Sequence, residues 1–263
     1  MTLRFPQSLL LVVLLMPTYS TAAAAQSRPA FEGMWSDPPP TAEDLFCLAW
    51  CTDAGLARLG KLLDDPANDS RPYVQLALEA NGYQLQQYIR PRLSVEALKT
   101  FPLDDATDPA FRRCVPWGAG RQNTARHQLE IRRVADDRIE MRYGEWDAKR
   151  TVYMDGRKRP ANAPPTAMGH SVGRYDGDAL IVETTGVAAD RTPYRTEHSD
   201  QLMMVERYTR PADGNRLLMT LTMEDPVTLR EPVVLKKVWR WAPTATITSY
   251  TDCIPATEFS FGK

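Results

Sequence analysis

The segment formed by residues 168–183 constrains the fold of this chain more than any other part of its sequence. It contains Gly-His-Ser-Val-Gly at residues 169–173, which in a strand–turn–helix context is a nucleophile elbow that exposes an activated serine. It also contains Asp176-Gly177, the turn pair most typical of a β-hairpin. The two interpretations predict different folds and different chemistry.

The residues that flank Ser171 favour the hairpin. The proline-rich run at residues 160–165 cannot be the central strand that precedes an elbow. The residues after Gly173 lead into the Asp-Gly turn and then a strand, whereas an elbow requires a helix there. We therefore expect Gly169 and Gly173 to flank an edge strand, and keep serine hydrolysis by Ser171 as an alternative.

The second half of the chain is strand-like almost throughout. Ile139, Met141 and Tyr143 alternate with charged residues, as in a half-buried strand. Further short strands are predicted at residues 151–154, 180–185, 202–208, 217–223, 233–241 and 247–253. Short strands at even spacing with turn residues between them indicate an antiparallel barrel or sandwich. No helical pattern separates them, so a parallel sheet is not indicated.

The region from about residue 41 to residue 100 is different. After a predicted first strand at residues 31–37, leucines recur at three-to-four spacing, which is typical of amphipathic helices. A last short helix is predicted at residues 94–99. We expect one β-barrel domain over residues 26–263, with a helical insertion after its first strand.

The first residues predict export. Arg4 precedes a short apolar run, and small residues end at Ala25, which is the pattern of a signal peptide cleaved near that residue. The run is too short for a membrane span, so we expect a periplasmic or secreted protein with no stable membrane insertion. The net charge of −1 argues against nucleic acid as a partner.

An even number of cysteines in an exported protein indicates disulfides. Cys47 and Cys51 are four residues apart on a predicted helix, which leaves Cys114 to pair with Cys253. Three pairings of the four cysteines stay open. A structural role is favoured over a redox or zinc role, because the spacing is a weak metal signal.

Histidines supply the candidate acid–base groups. His170 lies near Arg174, and His198 lies near Asp200. The alternative is that each histidine only makes a hydrogen bond at a strand end. No metal site is predicted, because no two histidines have a chelating spacing. No phosphate-binding loop or dinucleotide fingerprint occurs, so we expect no cofactor.

The strand at residues 202–208 carries a charge on both faces, Glu206 on one and Arg207 on the other. One of them should point into the barrel, because inward and outward positions alternate strictly. A buried charge is costly unless it is paired or functional. Two explanations stay open: an Arg–Glu pair that ties strands together, or the polar end of a ligand cavity.

Gly33-Met-Trp35 resembles the G-x-W signature on the first strand of lipocalin-like barrels. That resemblance implies that the tryptophan closes one end of the barrel against an arginine from the last strands. Arg240 is the candidate for this arginine.

A longer series of motifs resembles a large family of exported bacterial proteins without an assigned activity. The resemblance implies a fold and a compartment, and no reaction. This chain has Tyr175 where members usually carry tryptophan, and its segment at residues 184–197 is shorter than usual. The motifs are, in order, Cys114-Val-Pro, Gly120-Arg121, Leu129-Glu-Ile131, Met154-Asp-Gly-Arg157, Met168-Gly-His-Ser-Val-Gly-Arg174, Gly177-Asp, His198-Ser-Asp200, Glu206-Arg-Tyr208 and Glu224-Asp-Pro226.

We therefore expect a mainly β, antiparallel lipocalin-like barrel that acts as a cofactor-independent lyase, isomerase or hydratase on a small apolar or aromatic molecule. His170 or His198 would be the base, oriented by Asp200. Arg174 or Arg207 would stabilise negative charge, and Glu206 or Tyr208 would return the proton. Tyr153 and Tyr175 are further candidates for substrate contact. The rival functions are a carrier of a hydrophobic ligand and a structural envelope protein.

Overall fold

Nine β-strands close into a barrel in this computed structural model, which describes residues 30–36, 53–71, 75–76, 79–80, 89–100, 114–125, 127–190 and 197–247. The strands are β1 (Gly33–Ser36), β2 (Leu129–Ala135), β3 (Arg138–Tyr143), β4 (Lys149–Tyr153), β5 (His170–Asp176), β6 (Ala179–Thr185), β7 (Met203–Thr209), β8 (Arg216–Glu224) and β9 (Val233–Trp241). The helices defined in these residues are α1 (Asp53–Asp64), α2 (Val95–Thr100) and α3 (Ala119–Thr124), with 3-10 turns at Pro66–Asn68, Arg90–Arg92 and Glu145–Asp147. Within the described residues, no helix is long and apolar enough to cross a membrane.

The mainly β barrel predicted from the sequence is confirmed, but the barrel is not purely antiparallel. Each strand pairs with its neighbours in the chain, and β1 closes the ring on β9. The pair β4–β5 is parallel, through Val152 with Ser171 and Tyr153 with Val172. A closed ring with an odd number of strands cannot alternate in direction all the way round, so one pair has to be parallel. Residues 154–169 provide the long connection that such a pair requires.

The hairpin interpretation of residues 169–183 is confirmed. Strands β5 and β6 pair from His170 with Thr185 to Asp176 with Ala179, and Gly177 takes the positive φ of 60° that the tight turn requires. The expected edge position of β5 is wrong, because in a closed barrel β5 pairs with β4 on its other side.

Alternation of side chains builds the barrel core, as the sequence predicts for β3. Ile139, Met141 and Tyr143 are fully buried. The inward residues of β8 are apolar in the same way. The barrel interior therefore consists mostly of packed apolar side chains, with a few polar exceptions that form the clusters described below.

The predicted helical insertion is described only in part. Helix α2 begins after Ser94, whose hydroxyl accepts a hydrogen bond of 3.1 Å from the N–H of Ala97. The insertion docks on the β8–β9 loop, where the Ser94 N–H donates to the Thr228 carbonyl at 2.8 Å and Leu93 joins the barrel core. Helix α1 packs separately, since Leu59 clusters with Leu76 and Ala80.

Trp35 closes one end of the barrel. It is fully buried, and its Nε1 donates a 3.0 Å hydrogen bond to the Phe31 carbonyl. The arginine that packs on it is Arg210, whose Cζ lies 5.1 Å from the Trp35 ring and 4.9 Å from the Trp241 ring. The expectation that Arg240 would do so is wrong, because Trp239 points inward and its neighbour must point outward.

Several predicted features lie outside the described residues. They include the signal peptide at residues 1–25, three of the four cysteines (Cys47, Cys51 and Cys253) and nearly all of the predicted last strand at residues 247–253. Cys114 is described, and its sulfur is not a free thiol. The pairing of the cysteines stays a prediction.

Candidate functional site

A buried ion pair crosses the barrel interior. Glu206 on β7 points inward and is fully buried, as is Arg150 on β4. Their contact is bidentate: Nη1 of Arg150 lies 2.5 Å from Oε1 of Glu206, and Nη2 lies 2.6 Å from Oε2. Of the two explanations that the sequence leaves open, the structure therefore shows the Arg–Glu pair. Arg207 points outward and binds Asp176 at 2.8 Å.

Further donors complete the coordination of the Glu206 carboxylate. Tyr208 donates its hydroxyl to Oε2 at 2.6 Å, and Asn123 donates from Nδ2 to Oε1 at 3.0 Å. Asn123 belongs to α3, a short helix whose residues are all buried. Each carboxylate oxygen thus accepts two hydrogen bonds, which is what a buried charge needs to be tolerated.

The surroundings of Glu206 shift the pKa values of Arg150 and Tyr208. Burial works against the charged form of Arg150, but the neighbouring Glu206 carboxylate raises the pKa of Arg150 well above its ordinary value. Burial, and then the Glu206 charge, raise the pKa of the Tyr208 hydroxyl as well. Tyr208 therefore remains a hydrogen-bond donor and Arg150 a cation at any physiological pH.

A second buried polar group lies where the chain enters β2. Burial and the charge of Lys237 lower the pKa of His127 to about 3, so this histidine is neutral at physiological pH. Its Nδ1 lies 2.9 Å from the Gln128 carbonyl and donates to it, and its ring packs edge-on against Tyr143 at 5.6 Å. Lys237 donates to the Ala125 carbonyl, with its Nζ 4.2 Å from the Trp239 ring.

The predicted histidine bases lie in two different environments. His170 stacks on Tyr153 with ring centroids 5.0 Å apart, and its Nε2 donates to the Arg157 carbonyl at 2.9 Å. His198 is buried, and its Nε2 donates to the Ala188 carbonyl at 3.0 Å. His170 is the first residue of β5, so its contact is of the strand-end kind that the sequence analysis gives as the alternative to catalysis, whereas His198 lies ahead of β7 in an isolated bridge with Asp190.

Asp200, the residue predicted to orient the histidine base, is exposed. The acid that holds the turn at residues 198–201 is Asp225, which is buried and accepts hydrogen bonds from the Ser199 N–H at 2.6 Å and from the Ser199 hydroxyl at 2.8 Å. Burial alone would raise the pKa of Asp225, but these hydrogen bonds hold it below its ordinary value.

The remaining predicted site residues are divided by the barrel wall. Glu206 and Tyr208 meet inside, whereas Arg174 lies outside and pairs with Glu183 at 3.1 Å. The predicted acid Glu206 and the predicted cation Arg174 therefore lie on opposite sides of the barrel wall.

Ser171 is not at an elbow. It lies within β5, is fully buried and points into the barrel, where its hydroxyl shares a 2.8 Å hydrogen bond with Thr184. An elbow serine is exposed at the top of a sharp turn. The geometry of Ser171 therefore does not match that of an elbow serine.

An open groove lies at the end of β5, beside the parallel pair. The pairing of β4 with β5 ends at Tyr153 and Val172, after which the chain leaves the wall at Met154 while β5 continues through Arg174 and Tyr175. The groove has a volume of about 540 Å³, within the range of roughly 300–1,000 Å³ typical of small-molecule sites. Its lining residues are Ala30, Glu32, Arg133, Asp136, Met154, Arg174 and Tyr175.

The groove is held in shape by its own contacts. Arg133 lies between the Glu32 carboxylate, at 3.1 Å, and the Tyr175 hydroxyl, to which it donates at 2.8 Å. Met154 fits against the wall only because residue 173 is glycine: a Cβ there would lie 2.5 Å from the Met154 sulfur. Arg174 and Tyr175 are the two predicted site residues that this groove brings together.

Sequence reasoning missed Arg150 and most of the groove. A signal for Arg150 was present, because it alternates with the apolar Val152 on β4 and so shares the inward face. Arg133 and Met154 had no comparable signal, since their positions depend on where β4 and β5 part.

No family model, no curated protein and no solved structure matches this chain. The resemblances to lipocalin-like barrels and to the exported bacterial family stay predictions.

Proposed function

We propose that the protein is an exported small-molecule-binding protein whose ligand site is the groove at the end of β5. The observation that carries the proposal is the convergence, around about 540 Å³, of an aromatic ring, a thioether and charged groups of both signs. Small-molecule sites combine an apolar lining with a few placed polar groups in this way. Export itself is proposed from the signal-peptide pattern of residues 1–25.

The barrel interior is a less suitable place for a ligand than the groove. The Arg150–Glu206 pair bridges the interior, and a ligand at that level would have to displace it. Breaking such a pair leaves uncompensated buried charges. The carrier function predicted from the sequence is therefore proposed for the groove and not for the lumen.

The predicted lyase or isomerase chemistry has less support than binding. It requires His170 or His198 beside an acid and a cation, but Nε2 of each histidine is used by a backbone carbonyl. Asp200, expected to orient the histidine, is exposed, and the buried Asp225 nearby binds Ser199.

The test is a screen of the purified protein against a library of small aromatic and apolar compounds by ligand-observed NMR. Compounds that bind should lose most of their signal with Met154→Ala or Tyr175→Ala, because both substitutions remove lining surface. Met203→Ala is the matched control, since Met203 is exposed on the outer face of β7, away from the lining residues. Absence of any bound compound, or binding that is insensitive to both groove variants, would contradict the proposal.

A further inference from the structure

We infer that the ligand of this groove is an organic cation, a protonated amine or a quaternary ammonium group on an aromatic or apolar body. The inference rests on the proposed function and names its ligand class.

The two arginines of the groove are already paired. Arg133 binds Glu32 at 3.1 Å, and both side chains are lining residues, so their charges cancel within the groove. Arg174 binds Glu183 of β6 at 3.1 Å. An anionic ligand would have to compete with one of these carboxylates for its arginine.

Asp136 is the remaining charged lining residue. It lies in the β2–β3 turn, and its carboxylate forms no ion pair with any residue that the structure describes. Its main-chain carbonyl lies 3.4 Å from Nη1 of Arg133, which fixes the turn against the groove. A cationic ligand would therefore add a new ion pair without breaking an existing one.

The apolar lining also suits a cation. The Tyr175 ring packs near Phe31, at 6.4 Å between centroids, and its hydroxyl is fixed by Arg133. The face of an aromatic ring attracts ammonium groups, and a thioether such as that of Met154 packs against aromatic bodies. The groove thus offers a carboxylate for the charge and an apolar surface for the body.

The test uses three probes with the same aromatic body: 2-phenylethylammonium, 2-phenylethanol and 3-phenylpropionate. Dissociation constants are measured by NMR titration of the whole protein at low ionic strength. We expect the ammonium probe to bind about three- to tenfold more tightly than the carboxylate probe, the range for a solvent-exposed ion pair with a cation–π contact. The difference should shrink as salt is added, because exposed charges are screened.

Asp136→Asn should remove this preference and leave the affinity for 2-phenylethanol unchanged. Asp64→Asn is the matched control, because Asp64 is an exposed aspartate at the end of α1, outside the groove, and its replacement should change none of the three affinities. A preference that survives Asp136→Asn, or a carboxylate probe that binds as tightly as the ammonium probe, overturns the inference while groove binding stands. If none of the three probes binds, the inference is also wrong, and the library screen alone decides the proposed function.

Discussion

The guanidinium of Arg150 and the carboxylate of Glu206 lie face to face inside the barrel, although two strands separate β4 from β7 in its wall. The pair is therefore a brace across the ring, and its hydrogen bonds to Tyr208 and Asn123 connect it to α3. We expect the pair to stabilise the fold, so a stability measurement tests its removal.

Glu206→Gln should lower the free energy of unfolding by about 3–5 kcal/mol, because Arg150 stays buried without a counter-charge. Urea denaturation monitored by circular dichroism measures the change. The double variant Arg150→Met, Glu206→Gln should lose less than the sum of the single losses, since no uncompensated charge remains. The control is Glu183→Gln, which breaks the exposed pair with Arg174 and should cost less than about 1 kcal/mol. Equal effects of Glu206→Gln and Glu183→Gln would contradict the brace.

His127 should make the protein less stable in mild acid. Its pKa is about 3 in the folded state against an ordinary value of 6.5, so between these values the unfolded chain binds more protons. The free energy of unfolding should fall as the pH decreases from about 6.5 towards 3, by at most about 1.4 kcal/mol per pH unit from this group. The measurement is the difference in unfolding free energy between wild type and His127→Gln from pH 4 to pH 7. His170→Gln is the control for a solvent-accessible histidine. If the difference in unfolding free energy between wild type and His127→Gln does not change with pH, the low pKa of His127 is contradicted.

Replacing Gly173 by alanine should destabilise the barrel wall beside the groove. The added Cβ would lie 2.5 Å from the Met154 sulfur and 2.7 Å from a Val152 methyl group, so we expect a loss of about 1–3 kcal/mol and weaker binding in the groove. Gly60→Ala is the matched substitution in α1, where nothing lies within 4 Å of the new Cβ, and it should stabilise that helix by about 0.5–1 kcal/mol. Thermal denaturation and probe titration measure both. Wild-type stability in Gly173→Ala would show that Met154 does not pack against the wall.

The arginine that closes the barrel end should be identifiable by substitution. Arg210→Met removes the contacts with Trp35 and Trp241 and a 3.0 Å hydrogen bond to the Gly214 carbonyl, and we expect a loss of about 1–3 kcal/mol. Arg240→Met, on the outer face of β9, should cost less than about 1 kcal/mol. If urea denaturation shows a larger loss of stability for Arg240→Met than for Arg210→Met, Arg240 is the arginine that closes the barrel end.

The strands and the hairpin turn were predictable because they depend on local chemistry. Alternation identifies β3, and Asp176-Gly177 predicts the β5–β6 turn, without any knowledge of the rest of the chain. The parallel pair was not predictable in this way. The sequence offers no crossover helix, and the pairing follows only from closing an odd number of strands into a ring.

The site was harder to predict than the fold because contacts across a barrel join distant parts of the chain. The sequence pattern around Glu206 indicates that one charge is buried, but no residue close to it in the sequence identifies Arg150 as its partner. The predicted site grouped residues that were expected at strand ends, namely His170, His198 and Arg174. A position at a strand end does not determine on which side of the wall a side chain lies.

Strands β4 and β5 share only two paired positions, whereas the register of β5 with β6 runs the whole length of both strands. The β1–β9 pair is equally short, so under a pulling force or during thermal opening we expect the ring to separate first at one of these two seams. The ligand groove lies at the end of the β4–β5 seam. A molecule bound there would contact both sides of the line along which these strands separate. Ligand binding should therefore stabilise the closed barrel.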